Sequence, residues 1–328
     1  MGNKSVPIRS LLLHLGTRMW SDRPEDNPDS LQFDEPVYRA VTERMAGIGM
    51  NMVVLDIGEA LSYPSHPELA IRGSWSPEKM EGEVGRLRKM GLEPIPKLNF
   101  SACHDHWLGE YARMLSTPAY YRVCADVIRD VASVFGKFRF FHIGFDEEAI
   151  GEQPNRLYAA ARQGELWWHD LQWLLDRIGE TGARPWMWAD AFWHKPEEFA
   201  RRVPRGVLQS NWYYGRTFSE DGPFERGYEK VRLLAYGELD RLGYEQVPCA
   251  TNWVPSYYGT ERNLVNYPLT VDYCRRVLSP SRLKGFMIAP WASTQEKNLG
   301  KLMEALDLAQ GAQCCAGLAK DGKIRGYA

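Results

Sequence analysis

Three carboxylic acids follow one another at Asp146-Glu147-Glu148, directly after the apolar run FHIGF at 141–145. Adjacent carboxyls repel one another, and an apolar setting penalises the ionised form. At least one of the three is therefore expected to hold its proton near neutrality, the condition for a general acid. Successive side chains of a strand point to opposite faces, so Asp146 and Glu147 can share one cleft only if the chain turns where the strand ends. The plainer alternative is a helix N-terminus that favours negative charge. A second cluster, His104-Asp105-His106, has the H-x-H spacing of some metal-dependent hydrolases. The chain holds seven histidines, and none ends the fifth or sixth strand, where such enzymes add further ligands; His194 lies in the loop after the fifth. The cluster is therefore read as a loop that binds substrate or caps a helix, and neither metal nor cofactor is expected.

These residues must be positioned by a repeating pattern of strand and helix. Strands are expected at 7–15, 51–57, 92–99, 138–144, 185–190, 207–212, 247–253 and 284–290. Helices are expected at 35–48, from Ser76 to Gly91, at 118–135 and 165–179, from Pro196, and at 223–243, 267–278 and 296–310. Ser76-Pro77-Glu78 supplies an N-cap, a proline in the first turn and an acidic residue beside it. Eight such units at roughly 40 residues each, with strands apolar nearly throughout, predict a closed (β/α)8 TIM barrel formed by a single domain over 1–328. A doubly wound open sheet would carry a glycine-rich turn after its first strand, and LHLGTRMW has none.

In such a barrel, chemistry collects at the C-terminal ends of the strands. There the sequence places Arg18 and Trp20; Asp56 and Glu59; Asn99 and His104–His106; the three carboxyls; Trp188, Asp190 and Trp193; Trp212 and Tyr213; Trp253; and Trp291. Half of the twelve tryptophans sit at these ends. A ring of indoles interspersed with carboxylates suits a carbohydrate, whose C–H faces stack on the rings while its hydroxyls bond the polar groups. Lys plus Arg is 40 against 42 for Asp plus Glu, a net charge of −2, which speaks against a nucleic-acid partner. No apolar run approaches the ~18 residues of a membrane span. His14 and Gly16 interrupt the N-terminal apolar run before it resembles a secretory leader. Six cysteines without CxxC spacing suggest reduced thiols, and a cytoplasmic protein is expected.

HIGFDEE (142–148) resembles the H-x-G-G-D-E motif of family 20 glycoside hydrolases, the β-N-acetylhexosaminidases. IRSLLLHLGTRMW (8–20) is similar to that family's first strand, and GLEPIPKLNFSACHDHW (91–107) to its third, with His104 on the family's histidine. ERMAGIGMNMVVLDIGEALSYPSHPEL (43–69) and the strand ends WMWADAFW, VLQSNW, CATNW and APW extend the similarity over most of the chain. The resemblance implies a retaining glycosidase in which the substrate's own 2-acetamido oxygen is the nucleophile. Glu147 would be the acid/base and Asp146 the acetamido partner, with Glu148 an outward neighbour. Arg9 would match the family's sugar-binding arginine. Asn99, His104, His142, Trp188, Asp190, Trp212, Trp253 and Trp291 complete the expected sugar-binding set, His142 as a support for the carboxylates. His14 is expected to be a satisfied buried histidine.

Three departures bear on this expectation. Phe145 replaces the motif's second glycine, Val254 stands where the family has a tyrosine, leaving that role to Tyr257 or Tyr258, and Ser293 stands where it has a carboxylate. The changes at strands 7 and 8 are what the other reading expects, a sugar-binding barrel that has lost turnover or acetamido recognition; retention of both Asp146 and Glu147 is what it does not expect.

Overall fold

The computed structural model describes residues 6–20, 29–153, 157–224, 227–253 and 261–318. Its strands are β1 Ile8–His14, β2 Met52–Asp56, β3 Glu93–Lys97, β4 Phe140–His142, β5 Arg184–Trp188, β6 Leu208–Ser210, β7 Cys249–Ala250 and β8 Gly285–Ile288. All pair in parallel, in the order β6-β5-β4-β3-β2-β1-β8-β7. The ring closes between β6 and β7 through the bridges Gln209–Gln246 and Trp212–Cys249. The expected (β/α)8 TIM barrel is thus the observed fold.

Around it lie helices α1 Glu35–Gly47, α2 Pro77–Lys89, α3 Pro118–Phe135, α4 Glu165–Glu180, the short α5 Ala191–His194, α6 Pro196–Arg202, α7 Gly227–Arg241, α8 Asn266–Val277 and α9 Leu299–Leu318. The Ser76 hydroxyl caps α2 by accepting from Lys79 N–H at 3.2 Å, as its sequence predicts. Val123, Val127, Val131 and Val134 bury one face of α3 at helical spacing; each side chain so buried contributes about 1.5–3 kcal/mol. The last helix starts later than its pattern suggested and runs further, because Glu296–Asn298 form a 3-10 turn before it. Among the described residues no helix is long and apolar enough to cross a membrane.

Alternation along the strands divides the core in two. Leu11, Leu13, Val53, Leu55 and Phe141 pack outward in one apolar cluster with the helices, while Leu12, Val54, Ile95, Phe140, Trp186 and Met287 fill the barrel. Above this inner layer His14, Asp56, Lys97 and His142 stand in register on four adjacent strands. They form a buried polar row that floors the C-terminal mouth.

The β1–β8 seam depends on Gly285, whose φ is +142°. A Cβ there would lie 2.0 Å from the Ile8 carbonyl oxygen. Gly285→Ala is expected to cost about 3 kcal/mol or more, because backbone rather than a flexible side chain blocks it. Gly300→Ala, in α9 with nothing near its Cβ, should gain about 0.5–1 kcal/mol. Urea denaturation of the two variants beside the parent checks the contrast; equal midpoints would show that the seam tolerates a methyl group.

Candidate active site

The three carboxyls are sorted by a tight turn after β4. Gly144, Phe145 and Glu147 have φ of +67°, +71° and +53°, a region that costs a residue with a side chain roughly 1–2 kcal/mol. Asn99, just beyond β3, holds the turn. Its Oδ1 accepts from Phe145 N–H and Ser101 N–H, both at 3.1 Å, and its Nδ2 donates to Asp146 Oδ1 at 2.8 Å. Gly144 is required twice over, by its φ and because a Cβ would lie 2.0 Å from Asn99 Oδ1. Asp190, beyond β5, accepts Glu147 N–H at 2.9 Å, and the Ser101 hydroxyl donates to the Asp146 carbonyl.

The turn sends Phe145 away from the mouth, onto Trp167 (4.9 Å between ring centroids) and beneath the Arg162 guanidinium. The bulk at the family's glycine position therefore does not enter the cleft. Glu148 also points back and forms a buried ion pair with Arg162 at 2.5 Å. Asp146 and Glu147 remain at the mouth beside His104, whose Nε2 is 3.2 Å from Glu147 Oε2 and 3.6 Å from Asp146 Oδ2. From the same loop Asp105 is buried against the Tyr120 hydroxyl at 3.4 Å, and among the described residues the cluster at the mouth takes His104 and not His106. Ligand atoms of His104, Asp146 and Glu147 all lie within 4.8 Å of one another. This is a spacing at which they could share either a proton or a divalent cation.

The protonation pattern differs from the one the motif suggests. Burial raises the Asp146 carboxyl, and repulsion from Glu147 adds to it, against His104, Lys97 and Asn99. Asp190 is raised well above the usual carboxylate range, by burial and then by Asp146. Burial works on Glu147 too, but the hydrogen bond and charge of His104, with Arg232 behind, leave it below its ordinary value. The shifts thus run opposite to the expected pattern: Asp146 and Asp190 are raised, while Glu147, expected to be the protonated member, is lowered. In the floor, burial and then the Lys97 charge push His142 well below the ordinary imidazole value. Its Nδ1 accepts from Gly144 N–H at 3.0 Å, supporting the turn from beneath. Burial would likewise raise Asp56, but Lys97 at 2.5 Å and His14 at 3.2 Å hold it at about 2.

Aromatic rings wall the mouth. Trp291, at φ +48°, lies 5.7 Å from His14 and 5.8 Å from Trp188; Trp20 lies 4.7 Å from His14. Tyr214 stacks on Trp212 at 5.1 Å, and Trp193 meets Trp212 edge-on at 4.5 Å. Trp188 and Trp212 are buried and back the wall, whereas Trp20, Trp193, Tyr214 and Trp291 are accessible. Asn99 and His142 are wholly buried and serve the turn, not a ligand's surface.

Two expected residues lie elsewhere. Arg9 sits near the N-terminal end of β1, the end opposite the carboxyls, and shares the outward parity of Leu11 and Leu13. Its N–H bonds Asn51 Oδ1 at 2.9 Å. Strand position and alternation both exclude it from the mouth. Trp253 lies under Lys301 of α9 at 4.3 Å, and among the described residues it joins none of the ring contacts above. Ser293 bonds Gln295 and Asn298, while Val254, Tyr257 and Tyr258 lie outside the described residues.

Sequence reasoning missed Lys97, Tyr214 and Arg232. Lys97 shares Asn99's strand parity, which was a usable signal. Arg232 reaches the mouth from α7, and nothing in its sequence neighbourhood marks it.

No family model and no curated protein sequence matches this chain. Solved structures do. A β-N-acetylhexosaminidase from Bacteroides fragilis superposes with a TM-score of 0.66 at 14% identity, covering 94% of this chain and 65% of that one. A GH20 exo-β-N-acetylglucosaminidase from Vibrio harveyi, solved in complex with N-acetylglucosamine, gives 0.64 at 13% identity, covering 94% and 54%. The GH20 enzyme of Streptomyces coelicolor gives 0.61 at 14%, covering 97% and 72%. The chain thus spans about half to three-quarters of the length of these structures. The likeness shows the fold, a barrel of the kind on which family 20 β-N-acetylhexosaminidases are built.

The raised Asp190 carboxyl gives the site a pH signature. The folded protein binds this proton more tightly than the unfolded chain, whose value is about 3.9. The stability so gained is complete below that pH and is lost as pH climbs through the folded value. Asp190→Asn keeps an oxygen for Glu147 N–H and lacks this loss. Its melting temperature relative to the parent should therefore climb from about pH 4 toward pH 9 by several degrees. A difference that stays flat across thermal melts in that range would mean that Asp190 titrates as an ordinary carboxyl.

Proposed function

We propose that this protein is a retaining glycoside hydrolase that removes a terminal β-linked N-acetylhexosamine from a glycan or glycoconjugate, using the substrate's acetamido group as nucleophile. The observation that carries this reading is the pairing of Asp146 and Glu147 at one aromatic-walled mouth, on a turn fixed by Asn99 and Asp190. The Glu147 side chain is 38% exposed against 10% for Asp146. Glu147 is therefore placed to meet a glycosidic oxygen, and Asp146 to meet a group held deeper.

In the open site Glu147 is ionised against His104. A sugar covering the mouth excludes water, and a desolvated ion pair loses much of its advantage over the neutral pair. The proton then moves from His104 to Glu147. Glu147 passes it to the departing oxygen as the C1–O bond breaks, and the acetamido oxygen closes on C1. Asp146 acts throughout as the carboxylate, accepting the acetamido N–H and opposing the positive charge of the oxazolinium, and carries no proton in the cycle. Glu147, now a carboxylate, takes a proton from the water that opens the ring, so C1 keeps its configuration.

Chromogenic β-N-acetylglucosaminides and β-N-acetylgalactosaminides test the proposal. Glu147→Gln should lower kcat/KM by about 10²–10⁴-fold, and Asp146→Asn should fall with it on acetamido substrates. Turnover equal to the parent in Glu147→Gln would remove that residue from the acid role. No turnover by the parent enzyme on either substrate, with retained sugar binding, would instead favour the non-catalytic barrel. The donor spacing of His104, Asp146 and Glu147 gives a metal-assisted reading specific ground; activity abolished by a chelator and restored by a divalent cation would favour it.

A further inference from the structure

Among the described residues, Arg232 is a partly buried cation without a counter-ion. Its guanidinium carbon lies 4.4 Å from the Trp193 ring, 4.4 Å from the Trp212 ring and 4.6 Å from the Tyr228 ring. Its Nε is buried without an acceptor, and among the described residues the side chain enters no hydrogen bond or ion pair. The position is built. Asn211 Oδ1 accepts the Trp193 indole N–H at 2.8 Å while its Nδ2 donates to the Arg232 carbonyl at 2.9 Å, tying the helix to the wall. A guanidinium stripped of water on several sides normally recovers the loss through a planar oxyanion. Here the nearby acids do not provide one. Glu147 and Glu152 feel the Arg232 charge, but neither pairs with it, Glu147 being engaged by His104. His194 also feels the charge, which lowers its imidazole after burial does, and Tyr228 faces it with its ring.

We propose that Arg232 anchors an anionic substituent, a sulfate ester or a uronate carboxylate, on the saccharide that occupies the aromatic mouth. The inference rests on the carbohydrate reading of that mouth and narrows it to acidic glycans. The anion's oxygens would take the outward N–H groups of Arg232 while the sugar ring lies against the accessible Trp193 and Tyr214.

Titration calorimetry and tryptophan fluorescence test this, since two indoles flank the cation. The probes are N-acetylglucosamine 6-sulfate against N-acetylglucosamine, and glucuronic acid against glucose. At least one acidic probe should bind about 10- to 100-fold more tightly than its neutral counterpart, and which one does so separates sulfate from carboxylate. That ratio should fall to about one in Arg232→Met and only partly in Arg232→Lys, both checked for a parental melting temperature. Equal affinities in the parent, or a preference that survives Arg232→Met, would overturn the proposal. A preference lost in Arg232→Met, in a protein that cleaves no N-acetylhexosaminide, would keep the anchor and refute the hydrolase reading alone.

Discussion

The side-chain amide of Asn99 fixes the geometry on which the rest of the site depends. It bridges the end of β3 to a left-handed turn after β4, accepting two backbone N–H groups with one atom and donating to Asp146 with the other. An aspartate here could accept but not donate, and would add charge beneath a buried carboxyl. With Asp190 holding the next N–H, the turn stays in a conformation that Phe145 and Glu147 would not adopt alone. Three consecutive carboxyls are thereby given different surroundings. Asp146 is buried at the mouth, Glu147 is at its rim, and Glu148 is behind it against Arg162.

Those surroundings, more than the residue types, set the charge state. Asp56 sits at about 2 because Lys97 and His14 flank it, whereas burial outweighs the opposing His104, Lys97 and Asn99 at Asp146 and the backbone hydrogen bonds at Asp190. Among the described acids of the mouth, Glu147 is the one with a hydrogen-bonding imidazole, and that contact is what takes it below its ordinary value despite burial. His104 Nε2 and Glu147 Oε2 stand 3.2 Å apart, so the proton transfer of the proposed reaction would cross a single hydrogen bond.

The aromatic wall divides by accessibility. Trp188 and Trp212 stiffen it from behind, while Trp20, Trp193, Tyr214 and Trp291 present ring faces or edges. Rings of this kind suit the apolar faces of a sugar and leave recognition of its substituents to polar groups. Arg232, lodged among three rings, is the cationic member of that set.

The barrel was legible in the sequence because it rests on local periodicity: apolar strands, amphipathic helices, and caps such as Ser76-Pro77. The paired acids were legible because they are adjacent in the chain, and the tryptophans because strand ends in a barrel converge on one face. Arg9 was misplaced because resemblance gave its identity but not its height or parity on β1, and Trp253 because a strand end does not say which way a ring turns. Arg232 and Tyr214 carried no signal, since they approach the mouth only through the packing of α7 and the loop after β6. Sequence by itself thus determined the architecture and which acids meet at its mouth, for these follow from near neighbours in the chain. Only the tertiary structure decided which acid is raised and which lowered, for burial and the approach of His104, Lys97 and Arg232 are set by segments far apart in sequence.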